Sequence, residues 1–175
     1  MVIPKFDDAG NLPVGPLVGP QARLDGLIPV TLAEIHDRFV ARVKGSKTRA
    51  EIWDGWMRHR ADFERIGLPY ATLVNGSFAT AKRDPSDVDL CILVEAEDLN
   101  ALPLASYKEF DRLTTPKLTI PEYRCHVYHV ALYPITDPRF ALTAVELNYW
   151  TRLFGQCKRT KRPKAFLLVT EGGVL

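Results

Sequence analysis

The chain has 175 residues, 46% of them hydrophobic and 25% charged, which is enough for one well-buried core and too little for two. A formal net charge of +2 excludes a nucleic-acid or membrane partner held by bulk charge alone. Cys91, Cys125 and Cys157 are odd in number and far apart, which excludes a disulfide framework or a cysteine-rich zinc site and fits a reducing cytoplasm.

The first thirty residues are rich in Gly and Pro and carry neither helical nor strand period. They read as an extended arm (residues 1–30) preceding a single domain (residues 31–175), ordered only if it docks. The opening "MVIPKFDDAGNLPVG" has no basic-then-apolar signal pattern, and no apolar run approaches the roughly 18 residues of a spanning helix. A soluble, cytoplasmic protein with no membrane partner is expected.

"TLAEIHDRF" predicts a helix of about three turns, capped by Thr31 with Glu34 closing a capping box and with Ile35, Phe39 and Val43 on one face. A second helix is predicted through "TRAEIWDGWMRHRADFERIG", stopping at Gly67, with Arg58 and Arg60 on its wet side. "YATLV" and "VDLCILVE" are short apolar runs read as strands, followed by a short helix at "SYKEFDRL". "YRCHVYHVALYP" reads as a third strand, "RFALTAVELNYWTRLFG" as a helix and "AFLLV" as a last strand. This order predicts an α+β fold, a small mixed β-sheet with flanking helices. Trp53, Trp56 and Trp150 are expected in the core.

Between the first two strands lies "NGSFATAKRDPSDVD". Residues i and i+2 of a strand share a face, so Asp87 and Asp89 lie side by side while Val88 points to the opposite layer. Two carboxylates that close repel unless a cation screens them, and together they make the hard-oxygen site that Mg²⁺ prefers. Gly76 and Ser77, read as a strand-to-helix transition, complement that site. Gly76 has no side chain to obstruct a phosphate, and Ser77 adds a hydroxyl to the backbone N–H donors. Lys82 and Arg83, between the two halves, have the reach to contact a triphosphate, and facing water from a polar loop is the equal alternative.

This arrangement, a Gly-Ser turn followed after about ten residues by Asp-x-Asp, resembles the signature of the DNA polymerase β-like nucleotidyltransferase superfamily. "IPKFDDAGNLPVG", "TLAEIHDRF" and "NYWTRLFG" resemble a little-characterised bacterial and phage branch associated with toxin–antitoxin or defence loci, with residues 17–28 as an insertion. The resemblance implies a polymerase β palm-like sheet and transfer of a nucleotidyl group, commonly from ATP, to a hydroxyl on a protein, an RNA or a small molecule. It implies that Gly76 and Ser77 hold the triphosphate, that Asp87 and Asp89 ligate Mg²⁺ or Mn²⁺, and that a toxin or antitoxin is a partner.

Active members of that superfamily carry a third carboxylate on a neighbouring strand, yet "YRCHVYHVALY" contains no Asp or Glu. His126 stands about where that group is expected, and imidazole is a poorer Mg²⁺ ligand. Glu122 and Asp137, at the two ends of the strand, are the other candidates. A fold-retaining module that binds a nucleotide or a partner without transfer is therefore the alternative. A third reading, an RNA-binding regulator, rests on the basic segment Lys158, Arg159, Lys161, Arg162 and Lys164. His126 and His129 are expected on opposite faces of their strand, which argues against a shared ion.

Overall fold

In the computed structural model, residues 3–14, 26–157 and 160–170 are described. Among them the chain forms strands β1 (Leu27–Pro29), β2 (Ala71–Asn75), β3 (Val88–Glu95), β4 (Cys125–Leu132) and β5 (Phe166–Val169). The α-helices are α1 (Leu32–His36), α2 (Arg49–Glu64), α3 (Ala96–Asn100), α4 (Leu104–Leu113), α5 (Pro116–Tyr123) and α6 (Phe140–Phe154). The strands make one mixed sheet in the order β1-β5-β2-β3-β4. The β2–β3 and β2–β5 pairs are antiparallel, and the β1–β5 and β3–β4 pairs are parallel. The fold is α+β, and none of the described helices is long and apolar enough to cross a membrane.

The capping box forms: the Thr31 hydroxyl accepts from the Glu34 N–H, and the Glu34 carboxylate accepts from the Thr31 N–H. The predicted three turns are completed by a π-helical turn, Asp37–Ala41, continuing α1. Sheet burial explains why β3 reads as an almost unbroken apolar run. Leu90, Ile92 and Val94 enter a core shared with Ile52, Trp56 and Phe63, while Cys91 and Leu93 face a second core with Trp150 and Phe166. Trp56 and Trp150 are buried and Trp53 packs against the main core. Helix α2 lies close on α5 at Gly55, where any side chain would overlap the Tyr123 carbonyl.

Three features depart from the sequence reading. Residues 76–79 form turns, and no helix follows Gly76–Ser77. Short helices α3 and α5 precede β4, and α5 carries Pro121 within it. Leu27–Pro29, in the stretch read as arm, pairs with β5, while Ile3, Asn11 and Leu12 are buried against the domain. Residues 15–25, most of the expected insertion, lie outside the described residues, as do Lys158 and Arg159.

The turn after β2 is held from below. Arg49, 1% exposed, opens α2 and spends every N–H of its guanidinium on a backbone carbonyl. Nε donates to Arg83 at 3.2 Å, Nη1 to Phe39 and Phe78 at 2.9 and 2.8 Å, and Nη2 to Thr80 and Lys82 at 2.9 and 2.6 Å. Burial pulls the group down to about 10, so it remains charged at neutral pH. The residues just before α2 complete the clasp. Ser46 Oγ and the Lys47 N–H donate to Asp84 Oδ1, and Thr48 Oγ1 donates to the Pro85 carbonyl. The Lys47 contact, above all, holds the Asp84 carboxyl below its ordinary range.

Replacing Arg49 strands four carbonyls of one loop and one of the preceding turn. Arg49→Met is expected to cost about 3 kcal/mol of unfolding free energy. Arg49→Lys should restore less than half of that, because an ammonium has three donors and no planar fork. Urea titration of the three proteins measures both, and a loss below roughly 0.5 kcal/mol in Arg49→Met would mean other contacts hold the loop.

Candidate functional site

The register of β2 and β3 sets Asn75 opposite Asp89, so the Gly-Ser turn leaves β2 beside the carboxylate. Gly76 is buried at φ +76°, and a Cβ there would overlap the Asp89 carboxylate. Glycine is thus required for two reasons: the left-handed backbone and the space that Asp89 fills. The Gly76 N–H donates to Asn75 Oδ1 at 2.7 Å, and Asn75 Nδ2 donates to the Ala165 carbonyl at 3.2 Å. Thr80 closes the far side of the turn by donating its hydroxyl to the Ser77 carbonyl at 2.8 Å. Ser77 is half-buried at the surface of the turn.

Asp87 immediately precedes β3 and is half-buried; Asp89 lies on the strand with its side chain 15% exposed. Burial raises the Asp89 carboxyl above its ordinary value, and the neighbouring Asp87 charge raises it further. His126 and Lys164 pull the other way. Behind Asp89 a recess of only about 10 Å³, lined by Leu73, Cys91, Trp150, Phe154 and Phe166 among others, supplies the low-dielectric wall. That is room for about one water, so any larger ligand would have to bind across the outer surface of the turn.

His126 is the register partner of Asp89 on β4. Its Nδ1 lies 3.2 Å from Asp89 Oδ1, and its Nε2 lies 2.6 Å from the Tyr128 hydroxyl. Both ring nitrogens are therefore engaged with protein. His129 faces the other side, 4.8 Å edge-on to Phe110, and burial lowers its basicity. Neither alternative carboxylate joins the site. Glu122 pairs with Arg112 at 2.7 Å, and Asp137 pairs with Arg139 beyond the opposite end of β4. From His126 to the end of that strand at Leu132 is about 20 Å at the usual strand rise. No group of three or more His, Cys, Asp or Glu side chains able to hold a metal occurs among the described residues.

Lys82 and Arg83 are exposed on the loop, with Arg83 paired to Asp84 at 3.1 Å. In the basic segment, Lys161 and Arg162 are exposed, while half-buried Lys164 lies near enough for its charge to act on Asp89. Sequence reasoning gave Lys164 no role apart from its basic run and missed Tyr128 and Arg49. Tyr128 was accessible to it, since i and i+2 on one strand share a face with His126. Two neighbouring carboxylates, with half-buried Ser77 on the adjoining turn, suit one hard cation whose remaining ligands are water and phosphate oxygens.

The chain belongs to the family described as "Family of unknown function (DUF6932)", which matches residues 4–170. No curated protein and no solved structure matches it.

The raised Asp89 carboxyl makes a signed prediction. The fold disfavours the ionised form, so the penalty is absent below the ordinary aspartate range and sets in as pH rises through that range and then through the folded value. Asp89→Asn should therefore be more stable than the native chain at about pH 7, by on the order of 1 kcal/mol, with the advantage shrinking as pH falls toward 4. Urea midpoints in chelator across that range measure it. An advantage that grows on acidification would reverse the assignment.

Proposed function

We propose that the chain is a nucleotidyltransferase-like protein that binds a nucleoside triphosphate, ATP foremost, with Mg²⁺ or Mn²⁺ at the Gly76–Ser77 turn and the Asp87–Asp89 pair. One observation carries the reading: the Asp89 carboxylate occupies the space that a Gly76 side chain would fill. The turn read as holding phosphate thus packs directly against the carboxylate read as holding the cation. A fold that largely buries the Asp89 carboxylate beside Asp87 bears an electrostatic cost that a purely structural strand has no reason to carry.

In this reading Asp87 and Asp89 hold the cation, and the Ser77 hydroxyl with the N–H groups of its turn orients the phosphates. When bound, the ion neutralises charge developing on the phosphate oxygens. Lys164, already acting on Asp89, together with Lys82 and Arg83 on the loop, adds positive charge around the triphosphate. Transfer makes a bond from an acceptor hydroxyl to the α-phosphorus and releases pyrophosphate. The acceptor class is a protein or RNA hydroxyl.

A second reading, a fold-retaining module that binds a nucleotide or a partner without transfer, is favoured by His126. The residue beside Asp89 on the adjacent strand is an imidazole with both nitrogens engaged, where a carboxylate would complete a two-ion site. Labelled nucleotide separates the two readings.

Calorimetry with ATP, CTP, GTP and UTP is expected to show binding that depends on Mg²⁺. Asp87→Ala or Asp89→Ala should weaken it by about 1–3 kcal/mol, roughly 5- to 150-fold, as loss of a charge-assisted contact does. Gly76→Val should abolish binding, because the new side chain displaces Asp89. Equal Mg²⁺-supported binding by the native chain and the double alanine variant would overturn the reading.

A further inference from the structure

Tyr128 stands two residues beyond His126 on the same face of β4, half-buried, its ring 4.2 Å from that of Trp150. With Asp89 ionised its carboxylate only accepts, which assigns the donated proton of the 3.2 Å contact to His126 Nδ1. In the neutral ring Nε2 is then the acceptor, and the Tyr128 hydroxyl, at 2.6 Å, is its donor. Hydroxyl, imidazole and carboxylate thus stand in series, the arrangement in which an imidazole removes the proton of an attacking hydroxyl. Trp150 packs at a tilt against the phenol, and Phe154 stacks on Trp150 in turn.

We infer that Tyr128 is a nucleotidyl acceptor, so that the chain modifies itself. This rests on the nucleotide-binding reading above. The Tyr128 oxygen bonds to the α-phosphorus of the bound triphosphate as the bond from that phosphorus to the bridging oxygen of the β-phosphate breaks. The phenol proton passes to His126 Nε2, and pyrophosphate leaves with the bonding pair. The product is a tyrosine phosphodiester. Burial, more than the neighbouring Tyr149 and Asp89, raises the phenol above its ordinary value, so little phenolate forms unaided and the base is needed. Strand β4 offers no carboxylate to activate a hydroxyl arriving from outside, whereas this hydroxyl already touches its base.

Incubating the full chain with each triphosphate and Mg²⁺, followed by intact-mass and peptide analysis, tests the inference. One nucleotidyl group per chain on Tyr128 is expected, lost in Tyr128→Phe and at least about tenfold slower to form in His126→Gln. A readout free of metal and turnover accompanies it. An adenosine sulfonyl fluoride in chelator should form a sulfonate ester on Tyr128, again about tenfold more slowly in His126→Gln. Triphosphate binding by calorimetry with no adduct on Tyr128 overturns the inference and leaves the binding reading standing. Sulfonylation at equal rates with and without His126 overturns it as well. No triphosphate binding at all overturns both.

Discussion

Arg49 is a buried cation with no carboxylate in hydrogen-bond contact, solvated by peptide carbonyls, four of them drawn from residues 78–83. That constraint organises the molecule. The loop between the Gly-Ser turn and the paired aspartates has no helix or strand of its own to fix its shape, so the guanidinium supplies the scaffold from beneath. Because the charge sits at the start of α2, the helix that fills the main core also sets the path of the loop above it. Core packing and site geometry are therefore coupled through one side chain.

With the loop fixed, β2 and β3 pair in the register that sets Asn75 opposite Asp89, and Gly76 yields its side-chain space to the carboxylate. The fold then bears an unfavourable local term: burial and Asp87 both disfavour the Asp89 charge. His126 and Lys164 offset part of it. Such a term persists only where the rest of the structure over-determines it, here by two apolar cores on the two faces of one sheet. Helix α6 covers the second face as far as Trp150 and Phe154 and leaves the ends of β3 and β4 that carry Asp89 and His126 partly open.

Much of this was legible in the sequence, for physical reasons. Residues 88–95 read as a strand because a sheet covered on both faces needs apolar side chains at both parities, and the two aspartates stood out against that run. Thr31 and Glu34 announced α1 through the chemistry of its orphan N–H groups. Helix α5 was hidden by Pro116 and Pro121, which read as breakers although the first opens the helix and the second lies within it. Strand β1, three residues ending at Pro29, is too short to show a period. The helix expected after Gly76–Ser77 does not form, since the chain there is drawn into turns by Thr80 and by the Arg49 carbonyl contacts. Arg49 itself looked like any polar residue near a helix start, because what distinguishes it is five acceptors brought from elsewhere in the chain. His126 stood out as a titratable residue on a strand without carboxylates, but its link to Tyr128 depends on side-chain reach that spacing alone does not specify.

The most direct test of the joint between turn and aspartates is a crystal structure of the chain with a non-hydrolysable nucleoside triphosphate and Mn²⁺, using the anomalous signal to locate the ion. The account predicts an anomalous peak ligated by Asp87 and Asp89, with phosphate oxygens on the Gly76–Ser77 turn and the Arg49 contacts unchanged. A nucleotide bound elsewhere, or an ion whose ligands exclude both aspartates, would contradict it.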